Sequence, residues 1–340
     1  MIQRRTLLSR TLLTGTAAAL AMPAIARAQA GKTYKVGAAV YGLKAEFMQL
    51  WTGAIKAHPA VRSGQAAITV FDGQYDALTQ SNQFDSMITQ RFDAIIFVPI
   101  DIQAGADAVK KARAANIPVI GSNARVAGND LTSYVGSDDV KAGTMEAEAI
   151  AKAMGGKGNV VIIEGPVGQS GEIERGRGNR QVLAANPGMK ILEHKTANWS
   201  RAEAQALMEN WLTAHPGQIG GVIGQNDEMG LGALQAIKAA GLDPKKLPVV
   251  GIDGVSDAIL AVKAGEMMSI LQDASAQAQG ALDVALRHLA GESYKPMGEA
   301  WKEYASQMPW NGGTATDYNV PWTPVTTENA DALLAKRQKA

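Results

Sequence analysis

Asn226, Asp227 and Glu228 stand side by side in GQNDEMGLGA, between the apolar run GGVI and an apolar helical pattern. An amide beside two carboxylates can ligate a hard metal ion, move protons, cap the following helix, or hydrogen-bond an uncharged ligand. The first two roles need partners, and the sequence supplies none at suitable spacing. The four histidines, His58, His194, His215 and His288, are scattered without helical pairing, and the chain has no cysteine, so no metal site is expected. GQSGE, residues 168–172, lacks the last glycine of a G-x-S-x-G nucleophile elbow. Neither a GxxxxGK[ST] loop nor a complete G-x-G-x-x-G occurs. The sequence therefore predicts no catalytic residues, no cofactor and no enzyme.

The elements that would position these groups are short β-type runs alternating with helix-length segments. The runs are YKVGAAV, AITVF, AIIFV, PVIGS, NVVIIE, KILEHKT, GGVIG, PVVGI and MSILQ. Helical patterns cover residues 76–90, 105–115, 140–154, 201–215, 227–240 and 276–290. Near-continuous apolar strands separated by helices mean parallel sheets covered on both faces. A length of 340 residues and this strand count predict an α/β fold with two doubly wound lobes. The turn-rich stretch GSNARVAGNDLTSYVGSDD, residues 121–139, reads as the first crossing between them. From residue 291 onward the chain reads as an irregular strap packed across both lobes, ending in a short helix over 328–336.

In open parallel sheets ligands bind beyond the carboxyl ends of the strands. The residues there are LKAEFM (43–48), Asn123, Arg175, Asn198 with Trp199, Asn226, Asp253 and Gln272. Amides, an acid, a guanidinium and aromatics suit a polyhydroxylated ligand. Each hydroxyl both donates and accepts, and a flat ring covers the C–H face of a sugar. Each residue also has a plainer reading. Asp227 is most simply the cap or first-turn acid of its helix, with Asn226 able to share that work. Asp253 could shape a turn before Gly254, Arg175 could pair with Glu172 or Glu174, and Trp199 could be core.

The mature chain resembles the type I periplasmic sugar-binding proteins of bacterial ABC importers, most closely the ribose-type branch. The resemblance rests on ANIPVIGSN, ERGRG, LTAHP, GQNDEMGLGAL, VVGIDG and the strand ending at Gln272, in that order. It implies two lobes joined by a multi-crossing hinge, with residues 31–137 plus about 273–312 in one and 138–272 plus about 313–340 in the other. It also implies ligand contacts from Phe47, Met48, Asn123, Arg175, Trp199, Asn226, Asp253 and Gln272. The first-lobe loop departs from the family pattern. Lys44 and Glu46 stand where Asn and Pro are usual, Met48 replaces a ring, and Ala124 replaces an Arg that Arg125 would have to supply, so these three charged residues join as further candidates. The implied function is capture of a sugar or polyol and delivery to the importer's membrane permease, by a monomer. A receptor presenting a sugar or furanose autoinducer to a chemoreceptor or sensor kinase is the alternative.

Location and partners follow from the ends and the charge. MIQRRTLLSR is basic, TLLTGTAAALAMPAIA apolar and ARAQA small, which predicts a cleavable export signal over residues 1–30 and a periplasmic protein. Arg4 and Arg5 leave the Sec and twin-arginine routes both open. Without the leader the chain holds 29 basic against 32 acidic residues, a poor basis for binding nucleic acid. A repressor built on this core would need a helix-turn-helix domain at the position the leader occupies.

Overall fold

A computed structural model describes residues 32–337; the expected export signal lies outside the described residues. The elements run β1 (Tyr34–Val40), α1 (Glu46–Lys56), α2 (Pro59–Arg62), β2 (Ala66–Asp72), α3 (Ala77–Thr89), β3 (Ala94–Phe97), α4 (Ile102–Ala114), β4 (Val119–Ser122) and β5 (Ser133–Gly136). They continue with α5 (Asp139–Ala153), β6 (Gly158–Glu164), α6 (Ser170–Ala184), β7 (Met189–Thr196), α7 (Arg201–Ala214), β8 (Ile219–Gly224), α8 (Asp227–Ala239), β9 (Val249–Asp253), α9 (Ser256–Lys263) and β10 (Met268–Leu271). The remainder is α10 (Ala274–Ala290), α11 (Ala300–Glu303), a 3-10 turn (Asn311–Gly313), β11 (Asp317–Asn319), β12 (Thr323–Pro324) and α12 (Thr327–Arg337).

Two six-stranded sheets carry the two lobes. Their orders are β11-β5-β4-β3-β1-β2 and β12-β10-β9-β8-β6-β7, parallel except where β12 runs against β10. Burial explains the continuous apolar runs. Val36, Ala38 and Ala39 of β1, Ile95 and Ile96 of β3, and Val160 to Ile163 of β6 have no exposure because helices cover both faces. Each such valine or isoleucine contributes roughly 1.5–3 kcal/mol.

Within the described residues the chain passes between the lobes three times: from β5 to α5, from β10 to α10, and from β11 to β12. The first passage comes at the very end of the stretch expected to hold it, because SYV pairs with β4 as a full member of the first sheet. The third falls between Asn319 and Thr323 rather than near residue 312, since β11 pairs with β5. Short polar residues between strand and helix do local work: Asp76, Asp101, Asp138, Ser200, Asn226 and Asp273 each accept a backbone N–H at the start of a helix. Each cap contributes about 1 kcal/mol. Gly143 of α5 and Gly178 of ERGRG serve contact between helices. A Cβ on Gly143 would lie 2.0 Å from the Arg175 carbonyl oxygen, and one on Gly178 would lie 2.2 Å from that of Val140. Without side chains there, α5 and α6 approach closely enough for Asp139 to meet Arg175.

Candidate functional site

Between the carboxyl ends of the two sheets lies a tight cleft of about 20 Å³, walled by Tyr41, Phe47, Asn123 and Ala124 from the first lobe and by Asp139, Gln169, Gly171, Arg175, Trp199, Asn226 and Asp253 from the second, with Gln272 at the second passage. Three of these residues, Asn123, Trp199 and Asp253, have left-handed backbones, with φ of 62°, 58° and 123°. A side chain in that region is strained, and such strain concentrates where a fold aims groups at a ligand.

Arg175 anchors the floor. Its Nε donates to Asp139 Oδ1 at 2.8 Å, Nη1 to the Gln225 carbonyl at 2.6 Å, and Nη2 reaches Gln272 Oε1 at 3.4 Å. Burial opposes its charge, yet Asp139, Asp253 and Glu146 outweigh that and hold the guanidinium protonated. Asn123 Nδ2 donates to Gln272 Oε1 at 3.2 Å and to Gln277 Oε1 at 3.3 Å. With its oxygen thus occupied, Gln272 leaves Nε2 buried without a partner. Asp253 is 5 % exposed, and no described group donates to its carboxylate. Burial pushes that carboxyl well above the usual range, against the pull of Arg175. The orphaned Gln272 donor and the Asp253 carboxylate line one cleft, and a hydroxyl-bearing ligand can both accept from the first and donate to the second.

Aromatic rings stand among the polar groups of the walls. Phe47 is buried on the first-lobe side; on the second, the Trp199 ring lies so close to Gly165 that a Cβ there would sit 2.1 Å from it. The Arg175 guanidinium is 5.6 Å from that ring. Trp199 Nε1 donates to Gln169 Oε1 at 2.5 Å, which fixes the ring's orientation. Tyr41, buried beside Tyr75 with ring centroids 5.5 Å apart, has its phenol pushed up by burial and then by Tyr75 and Asp253.

Seven of the eight expected contact residues line the cleft; Met48 does not. It lies fully buried in the first-lobe core, because consecutive helix positions point about 100° apart and Phe47 takes the cleft-facing one. The three further candidates also sit elsewhere. Lys44 lines a wider vestibule outside the cleft, its ammonium 5.9 Å above the Tyr75 ring. Glu46 Oε1 accepts from Ser256 N and Oγ across the lobes, at 3.0 and 2.6 Å. Arg125 stacks 3.7 Å from the Tyr134 ring and pairs with Asp317 at 2.7 Å, so it does not stand in for the missing Arg at 124.

The opening trio divides. Asn226 Oδ1 caps α8 by accepting from Met229 N at 2.9 Å, which leaves its amide Nδ2 for the cleft it lines. Asp227 is a first-turn acid of α8 rather than its cap: it accepts from Ser269 Oγ and Val255 N at 2.8 and 3.0 Å, tying α8 to β10 and to the start of α9, with its carboxyl pushed up to about 7 by burial. Glu228 pairs with Arg201 at 2.7 Å. Among the described residues no three His, Asp or Glu gather where a metal ion could be held. Tyr41, Asp139 and Gln169 are cleft residues that the sequence reading passed over.

The profile of the periplasmic binding protein domain matches residues 36–293. The chain is 46 % identical over 221 residues to a xylitol-binding protein of Mycolicibacterium smegmatis, an alignment covering 65 % of this chain and 63 % of that protein. It is 34 % identical over 227 residues to the ribose import binding protein of Salmonella typhimurium, covering 66 % of this chain and 75 % of the other. An ABC transporter solute binding protein from Bacillus halodurans, solved with bound myo-inositol, superposes with a TM-score of 0.78 at 30 % identity, covering 90 % of this chain and 99 % of that one.

Proposed function

Because the chain belongs to the periplasmic binding protein family, we propose that it captures one small, uncharged sugar or polyol between its lobes and delivers it to the membrane permease of an ABC importer. The carrying observation is the pairing of the donorless Asp253 carboxylate with the acceptorless Gln272 amide in one closed cleft. Charge selects the ligand class. Among the described residues lining the cleft Arg175 is the only cation, and its charge is balanced by Asp139, so an incoming carboxylate would meet Asp139 and Asp253 with no uncompensated positive charge. Neutral hydroxyls meet no such opposition. A compound of five or six carbons is favoured by the relatives named for xylitol and ribose.

In this reading Asp253 accepts from ligand hydroxyls. Gln272 Nε2, Asn226 Nδ2 and the Arg175 guanidinium donate to ligand oxygens, Asn123 and Tyr41 close the polar ring, and Phe47 and Trp199 cover the carbon faces. Charge-assisted bonds of this kind contribute about 1.5–3 kcal/mol each. Three or four supply the roughly 5.5 kcal/mol by which a ligand must favour the closed state to move it from rare to dominant. Residues 1–30 act as the export signal in the same proposal, which puts the mature protein in the periplasm. The test is a thermal-shift panel of pentitols, pentoses, hexoses, inositols and amino acids, because only a ligand of the folded form raises Tm. Shifts from amino acids with none from any polyol or sugar would overturn the reading.

A further inference from the structure

The segment Gly168-Gln169-Ser170, at the start of α6, is the GQS of the incomplete nucleophile elbow, and no catalytic role absorbs it. Each of its three residues bonds across to the first lobe. The Gly168 carbonyl accepts from Ile102 N at 3.0 Å, Gln169 Nε2 donates to the Pro99 carbonyl at 2.9 Å, and Ser170 Oγ accepts from Arg125 N at 2.8 Å. Gln169 and Ser170 are 2 % and 4 % exposed, so these bonds are shielded from water. The backbone approach is close: Gly168 has φ of 93°, and a Cβ there would lie 2.7 Å from Asp101 Oδ2.

We infer that Gly168-Gln169-Ser170 is a latch that favours lobe closure independently of the ligand, and that Gln169 is a positioning residue coupling closure to the aromatic wall. The coupling is in the bonding of one side chain. Gln169 Oε1 holds the Trp199 indole N–H while Nε2 holds Pro99 of the opposite lobe, so the orientation of the ring and the approach of the lobes share one amide. Arg125, outside the cleft, enters here through its backbone: its stacking on Tyr134 and ion pair with Asp317 steady the N–H that Ser170 receives. The positioning half of the inference rests on the reading of the cleft as a sugar or polyol site. The latch half does not.

The chain has no native cysteine, so a donor–acceptor dye pair can be placed at Lys110→Cys on the first lobe and Gln181→Cys on the second, both at exposed positions. Single-molecule energy transfer then counts closed molecules with no ligand present. The latch predicts a measurable closed population in the otherwise unchanged protein. Ser170→Ala and Gln169→Met should each lower the closed-to-open ratio about fivefold, the effect of losing one net hydrogen bond. Closed-to-open ratios within twofold of the parent in both variants, or no closed molecules in the parent, would overturn the latch. Ser170→Ala removes a single hydroxyl and keeps the test valid if Gln169→Met folds poorly. With xylitol, ribose or myo-inositol added, Gln169→Met should also release ligand about fivefold faster and lose the ligand-induced change in Trp199 fluorescence; an unaltered change would overturn the positioning role. Failure of the whole sugar and polyol panel to close the parent protein would overturn the proposed function, while the ligand-free ratios still decide the latch.

Discussion

Asp253→Asn should move stability and affinity in opposite directions. Asp253 is buried in a cleft where no described group donates to its carboxylate, and burial first, with Asp227 and Glu228 adding to it, pushes its pKa well above the carboxylate range. A buried polar group without a partner costs about 1–3 kcal/mol. An asparagine keeps the shape and removes the charge, so the ligand-free protein should be more stable by about 1 kcal/mol or more, read as a higher urea midpoint at unchanged m-value. Ligand binding loses a charge-assisted acceptor contributing about 1.5–3 kcal/mol, which is a fall in affinity of roughly 10- to 150-fold by calorimetry. Arg175 keeps Asp139 and the Gln225 carbonyl, so its own position does not depend on Asp253. A variant that binds as tightly as the parent would show that Asp253 does not receive ligand hydroxyls. A variant destabilised while ligand-free would show that the carboxylate has a structural partner, and the reasoning would fail at its first step.

Asn226→Asp retains the oxygen that caps α8 and removes the Nδ2 donor; calorimetry should show affinity at least tenfold lower at unchanged Tm, whereas Glu228→Gln should leave affinity within twofold. Gly178→Ala drives a methyl against the Val140 carbonyl and the Thr144 amide, so denaturant unfolding should show a loss of about 2 kcal/mol or more as α5 and α6 separate. Glu146 is fully buried, with one carboxyl oxygen unpartnered and its pKa pushed up to about 8 by burial. The folded protein therefore holds a proton that the unfolded chain releases, and this contribution is full below about pH 4.5 and lost as pH rises through about 8. Asp227, raised to about 7, acts in the same sense. Glu146→Gln should flatten the decline of Tm between about pH 5 and 8, measured by calorimetric scanning; an unchanged slope would contradict the assignment.

Strand ends were legible because burial on both faces leaves an unmistakable apolar run, and the residue that follows it is forced to the rim of the sheet. Asn123, Trp199, Asn226, Asp253 and Gln272 were found that way, and all five line the cleft. Two of the missed residues obey the same rule where an element was undervalued. Asp139 follows β5, whose four residues read as a brief extended piece without the β4 and β11 pairing that makes it a strand. Tyr41 follows β1 directly and was overshadowed by LKAEFM. Gln169 lies in the loop after β6, where GQSGE was weighed only as a failed nucleophile motif. Met48 was misplaced for a helical reason, since a stacking pair on adjacent residues cannot both face one cleft once α1 begins at Glu46. Cross-lobe bonds such as Glu46 to Ser256, 210 residues apart, have no local sequence signature at all.

The central claim is that a neutral polyhydroxylated molecule closes the two lobes through Arg175, Asp253 and Gln272. Calorimetric titration of the mature protein with the best ligand from the thermal-shift panel, repeated with Arg175→Ala, tests it most directly. The account predicts one ligand per chain, with five or six carbons and no net charge, and binding lost in the variant. A charged amino acid as the only ligand, or full-strength binding by Arg175→Ala, would contradict it.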